Sequence, residues 1–335
     1  MVYFVTDLKD KIKLQGRSRI KNNLFMFDYS ASGFEFKATC GGNIKITFIA
    51  KNIPQGELGG CYFTVFVDGE RLARDFCRIT SNGKSEFVIA ENLKEKEHTI
   101  RVYRQTECEW GEVGLESIEL SSQPYPVPPS DKYIEFIGDS ITTSFGNLTN
   151  NGDESFRNPI HQDATLGYAF LTATELNADF SLVARQGIGA SVGYQPIPMQ
   201  SVYPFICQLR DEKQFDFSRQ PNINLIALGT NDINAYNNEA LGNNKTLAEV
   251  KQGFAEFLKL VRKHNPKSKI VWMHGMMTDR ASKLIEEVIS EAGGISKGYY
   301  TVKVTQDNAG GQGHPHCAGH RKIADDLKRF LKTIM

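Results

Sequence analysis

Residues 134–142 read Ile134-Glu135-Phe136-Ile137-Gly138-Asp139-Ser140-Ile141-Thr142. The apolar, partly β-branched run 134–137 predicts a buried parallel strand, and Gly138-Asp139-Ser140 breaks it where a helix should begin. A serine is thereby presented at the carboxyl end of a strand. In an open α/β sheet that edge is where ligands bind, and the backbone N–H groups of the following turn favour negative charge. The position suits a nucleophile, although Asp-Ser before a helix is also an ordinary N-cap pair.

Outward from this stretch, apolar runs at 180–183, 223–228, 270–273 and 299–302 alternate with helical patterns at 167–176, 247–264, 279–292 and 319–332. Such alternation means a parallel sheet with helices on both faces. Upstream the texture is all β. Short alternating runs at 34–38, 44–49, 62–67, 85–89, 98–103 and 114–120 are separated by turn residues, including Cys40-Gly41-Gly42-Asn43 and the hairpin pair Asp68-Gly69. Their regular spacing predicts a β-sandwich of jelly-roll type. Prolines at 124, 126, 128 and 129 mark a stiff connector. The expected organisation is therefore a sandwich over 1–121, a linker over 122–131 and an α/β domain built on a parallel sheet over 132–335.

Composition narrows the partners. Of 335 residues, 39 are Lys or Arg and 39 are Asp or Glu, so charge gives no reason to expect nucleic acid or an anionic membrane surface. Asp7 stands where a signal peptide needs an apolar core, and no run reaches transmembrane length. On that reading the chain works in the cytoplasm. Cys40, Cys61, Cys77, Cys108, Cys207 and Cys317 include no C-x-x-C pair and are expected to be free thiols. His161, His274 and His316 have no carboxylate or cysteine at metal spacing, so no metal or cofactor is expected.

Each strand of the second region ends in chemistry-bearing residues that should share one rim. After the first strand comes Ser140, and after the second Gly187-Ile188-Gly189-Ala190-Ser191. After the third comes Gly229-Thr230-Asn231-Asp232, and before the last helix stands Gly313-His314-Pro315-His316-Cys317-Ala318-Gly319-His320. Over about 134–330 this order of serine, glycine, asparagine and histidine resembles the SGNH, or GDSL-like, hydrolases. With the added sandwich and the stretch Trp272-Met273-His274-Gly275-Met276-Met277, the chain is most similar to carbohydrate esterase family 2. That resemblance implies a flavodoxin-like parallel sheet of SGNH-hydrolase type, and a serine esterase acting on acetylated plant cell-wall carbohydrate, acetylated mannan or xylan, without cofactor. It implies Ser140 as nucleophile and His314 as base, with an oxyanion hole from the Ser140 N–H, a glycine N–H and the Asn231 amide. The glycine is assigned as Gly189, with Gly187 as the competing choice.

The chemistry is consistent with those parts: ester cleavage needs an activated hydroxyl, a base titrating near neutrality and donors aimed at the oxyanion. One departure stands out. SGNH enzymes commonly carry an aspartate three residues before the histidine, and that position here is Gly311. The resemblance then implies a main-chain carbonyl as the orienter of His314, with Asp307 as rival. Trp272 and Tyr168 are candidates for lining a sugar cleft, against the alternative that both pack inside. A lipid or thioester acyl hydrolase, and a carbohydrate-binding protein with impaired catalysis, are the rival functions.

Overall fold

A computed structural model describes the chain except for residues 55–58, 74–75, 208 and 210–212. It divides into two compact units, Met1–Pro129 with Asn158–Ile160, and Ser130–Arg157 with His161–Met335.

The first unit is an antiparallel sheet curled around its own core into a jelly-roll sandwich. Two long strands, Gly33–Lys51 and Gly83–Arg104, carry the curl. Phe34, Phe36, Ala38 and Cys40, then Ile44, Ile46, Phe48 and Ala50, point inward at period two, so one strand serves the core along its whole length. The sequence predicted separate strands joined by a turn at Cys40-Gly41-Gly42-Asn43. The structure instead carries the chain straight through, and the register against the partner strand slips between Cys40 and Lys45. These glycines make bulges that bend the sheet rather than a hairpin. Asp68 and Gly69, at φ +53° and +87°, do form the tight turn between Cys61–Val67 and Glu70–Arg71. The proline stretch also differs from a plain connector: Tyr125–Pro126 pairs with Lys37 and Phe36 as an added edge. Buried Arg104 donates to the carbonyls of Thr106, Glu107 and Gly111 in the connection that follows its strand, and to Phe27 at the end of strand Leu24–Phe27, tying the two segments to one side chain. All six cysteines are free.

The second unit is built on a parallel sheet of β1 (Tyr133–Gly138), β2 (Asp179–Ala184), β3 (Ile223–Ala227), β4 (Lys269–His274) and β5 (Tyr299–Lys303). Their spatial order is β2-β1-β3-β4-β5, the flavodoxin-like arrangement, with the order reversing between β1 and β3. β1 to β3 are buried on both faces because helices cover both, which is why their sequences read as continuous apolar runs. Helix Leu247–His264 starts on a capping box in which Thr246 and Glu249 satisfy each other's backbone N–H. Its apolar stripe of Val250, Phe254, Phe257 and Val261 is buried. Glu135 is buried in mid-strand, and accepts from Tyr203 Oη at 2.6 Å and Asn224 Nδ2 at 3.0 Å. No helix among the described residues is long and apolar enough to cross a membrane.

Candidate active site

β1 ends at Gly138, and a one-turn helix, Ser140–Thr143, begins at once. Asp139 caps it, its carboxylate accepting from Ile141 N at 3.0 Å. Gly138 leaves room for the Thr142 hydroxyl, which would lie 1.9 Å from a Cβ there. Ser140 thus stands at the first helical position, at the switch point of the sheet.

His314 is brought to it by pairing between two loops distant in sequence. Gly311 N donates to Gly146 O, Asn151 N to Ala309 O, and Cys317 N to Asn147 O. The result is a dyad: His314 Nε2 lies 2.8 Å from Ser140 Oγ, and His314 Nδ1 lies 3.0 Å from Gly311 O. A carbonyl only accepts, so Nδ1 carries the proton and Nε2 offers its lone pair to the serine O–H. Both residues keep a sliver of surface, 6% for Ser140 and 8% for His314. Burial holds the imidazole down to a pKa of about 4, although its hydrogen bonds to the Gly311 and Gln312 backbone push the other way.

The orienting group is therefore a main-chain carbonyl. Asp307 is engaged elsewhere, accepting from His316 N at 2.9 Å and Ala309 N at 3.2 Å. An aspartate is sterically shut out of position 311, where a Cβ would lie 2.5 Å from Phe156 Cβ and 2.8 Å from Thr149 Cγ2.

Asn231 and Asp232, in the helix Thr230–Ala235 after β3, grip the glycine loop on either side of Gly189. Asn231 Nδ2 donates to Ile188 O at 2.8 Å and, at 3.2 Å, to Asp139 Oδ2. The Asp232 carboxylate accepts from Ala190, Ser191 and Val192 N–H. Side-chain amide and loop are thereby locked to one another. Gly189 has no space for a side chain, since a Cβ would meet Val192 O at 1.7 Å. The N–H groups of Ser140, Gly187 and Gly189 donate to no acceptor among the described residues. Gly187 is held through its carbonyl, which accepts from Tyr194 N and Gln195 N. Burial raises Asp139 to about 7 and Asp232 to about 6, the backbone donors opposing it in each case.

Two sequence candidates are corrected. Trp272 is fully buried within β4, its indole N–H donating to Leu228 O at 2.9 Å and its rings against Phe254 and Phe257. Tyr168 is likewise fully buried, its hydroxyl 2.7 Å from Thr142 Oγ1 and its ring stacked on His320. Neither side chain can meet a sugar, because helices cover both. An aromatic beside the glycine loop that does face solvent is Tyr194, 53% exposed, its Cβ close to Gly187. Its only signal in the sequence was its place three residues after the block Gly187 to Ser191. Asn243 and Lys245 were also missed, and donate to Gly193 O and Ser191 O.

Residues 134–327, more than half of the chain, match the GDSL-like lipase/acylhydrolase family. The chain belongs to that family. Residues 14–129 of this GDSL-like protein match the family described as carbohydrate esterase 2 N-terminal. The cellulase/esterase CelE of Acetivibrio thermocellus is 28% identical over 327 residues, covering 92% of this chain, which spans 38% of that relative's length. An acetylxylan esterase / glucomannan deacetylase of Cellvibrio japonicus is 25% identical over 273 residues, covering 76% of this chain and 74% of the relative. The solved structure of an acetyl xylan esterase (Est2A) from the rumen bacterium Butyrivibrio proteoclasticus matches with a TM-score of 0.88 at 22% identity, covering 100% of this chain and 98% of that one. At that identity the likeness speaks for the two-part GDSL-like fold alone.

Proposed function

We propose that the protein is a serine esterase that removes O-acetyl groups from plant cell-wall polysaccharides or their oligosaccharides, with acetylated mannan, glucomannan and xylan as substrates. The observation that carries this reading is the Ser140–His314 hydrogen bond of 2.8 Å, with Nδ1 of the same ring anchored on Gly311 O. It is supported by the amino-terminal match to the carbohydrate esterase 2 family and by relatives named for acetylxylan and glucomannan.

In this mechanism His314 Nε2 takes the Ser140 proton as Oγ adds to the acetyl carbonyl. The developing oxyanion is met by the N–H groups of Ser140 and Gly189 and by the Asn231 amide, which exchanges its longer hydrogen bond, the one to Asp139. His314 then returns the proton to the departing sugar oxygen, and in the second half activates water against the acetyl-serine. Gly189 is preferred over Gly187 because the carbonyl preceding it is held by Asn231, which ties the two donors together. Exposed Tyr194 offers a face on which a sugar ring can stack.

Acetate release from acetylated glucomannan and acetylated xylan tests the reading, with Ser140→Ala as control. The wild type should release acetate, and the variant should lose at least about a thousand-fold in turnover while keeping its fold. Absence of release by the wild type from either polymer and from simple acetylated sugars would overturn it.

A further inference from the structure

Phe145 touches both halves of the dyad. Its backbone N–H donates to Ser140 O at 2.9 Å, and its ring meets the His314 imidazole in a T-shaped arrangement, centroids 5.1 Å apart and planes at 66°. Ser144, at φ +65°, ends the nucleophile's helix and turns the chain between them. Phe145 is only 3% exposed, and behind it stands Phe156, centroids 5.8 Å apart and planes at 81°. Phe156 also closes the space beside Gly311, where a Cβ would fall 2.5 Å from its own Cβ.

This arrangement answers a mechanical question left by the missing aspartate. The backbone hydrogen bonds of Nδ1, to Gly311 O and toward Gln312, settle the tautomer but all act at one edge of the ring, and the only polar contact at the far edge among the described residues is the Ser140 hydroxyl that must give up its proton. A further contact off that edge is needed to keep Nε2 aimed at Ser140 Oγ. A triad carboxylate would supply it with two oxygens; here aromatic carbon fills the neighbourhood instead. We propose that Phe145, braced by Phe156, is the positioning residue of the His314 imidazole, fixing by ring packing the aim that a triad carboxylate fixes by charge. The inference rests on the Ser140–His314 pair being the acting one.

An apolar wall holds the ring without favouring its cation, so the wall also keeps the base neutral. The other titratable or charged groups around this imidazole are Asp139 beside the nucleophile, Asp307 and His316 in its own loop, His320 on the last helix and Arg157, whose guanidinium lies over the Phe156 ring. Asp139, Asp307 and His320 are each committed to backbone N–H groups, and none accepts from His314.

The test uses the full chain with Phe145→Ala and Phe145→Leu, and Phe170→Leu as a control that trims a buried aromatic packed on Phe180 away from the dyad. Steady-state kinetics on nitrophenyl acetate are paired with an NMR titration of the His314 ring, which needs no turnover. For Phe145→Ala, kcat should fall about ten-fold with KM within about two-fold, a fraction of the about 100- to 10,000-fold that a positioned base supplies. The His314 titration should move upward toward about 6.5 as water reaches the ring. Phe170→Leu should lower the melting temperature without moving either readout. A folded Phe145→Ala variant with kcat within about two-fold of wild type and an unmoved titration would overturn the proposal. So would a kcat loss matched by Phe170→Leu. If the alanine variant does not fold, Phe145→Leu is judged by the same two readouts. If the wild type releases no acetate, the esterase reading falls and the titration alone decides the positioning: a shift supports it, no shift overturns it.

Discussion

At His314 the direction of the pKa displacement fixes two pH dependences of opposite use. As the proposed general base His314 must be neutral, and burial holds its folded pKa at about 4, below the ordinary 6.5. Esterase activity should therefore persist below pH 6 and be lost as pH falls through the folded value, measured as the acid limb of kcat/KM on an acetyl ester. The same depression means that the unfolded chain binds this proton more readily. Its contribution to stability is present above pH 6.5 and is lost as pH falls from there through about 4. Asp139 and Asp232 run the other way: burial raises them to about 7 and about 6, so their contribution is present below the ordinary carboxylate value of 3.8 and is lost as pH rises through the raised ones. The two carboxylates outnumber the one imidazole over their shared window, so thermal unfolding followed from pH 4 to 7 should show a net fall in stability as pH rises. Trp272 belongs at this scale too. Trp272→Ala should cost about 3–5 kcal/mol of stability through the cavity it leaves, and should reduce acetate release only as far as folded protein is lost. Denaturant unfolding alongside KM for the polysaccharide separates that outcome from a weakened sugar contact.

Among the elements, the loop carrying His314 makes the sharpest statement. Gly311→Asp restores the familiar triad spacing on paper, yet the new Cβ would collide with Phe156 Cβ and Thr149 Cγ2. The variant should be less stable by about 1–3 kcal/mol and less active than wild type, not more, as measured by melting temperature and kcat. The loop after β3 argues similarly. Asn231→Ala removes both a proposed oxyanion donor and the bond that holds Ile188 O, so kcat should fall about 100- to 1,000-fold with little change in KM. Much of this was legible beforehand where the signal is local. Gly-Asp-Ser and Gly-Thr-Asn-Asp mark strand ends because the backbone must turn there. Other elements were not legible. Gly41-Gly42 carries the composition of a turn and of a bulge alike, and only pairing of both long strands through that point decides for the bulge. The orienter of His314 was indicated only by the resemblance and by the missing aspartate, and which carbonyl it is could not be read, because every residue has one.

For the molecule as a whole, acyl-chain preference separates the carbohydrate reading from a lipid one. Acetyl esters should be cleaved at least about ten-fold better than octanoyl esters, measured as kcat/KM on nitrophenyl esters, and the reverse order would favour a lipid or thioester substrate. What the sequence determined by itself was a sandwich-like region before an α/β region, and the four strand-end segments that bear the chemistry. Hydrophobic period and turn chemistry act over a few residues and need no partner to be read. Only the tertiary structure decided that residues 146–151 pair with 309–317 and so set an imidazole 2.8 Å from a hydroxyl. It also decided that Trp272 and Tyr168 go inside while Tyr194 faces solvent, and that aromatic carbon occupies the space beside Gly311. Those outcomes depend on which distant surfaces pack together, and burial is a property of the packed pair, not of either partner's sequence.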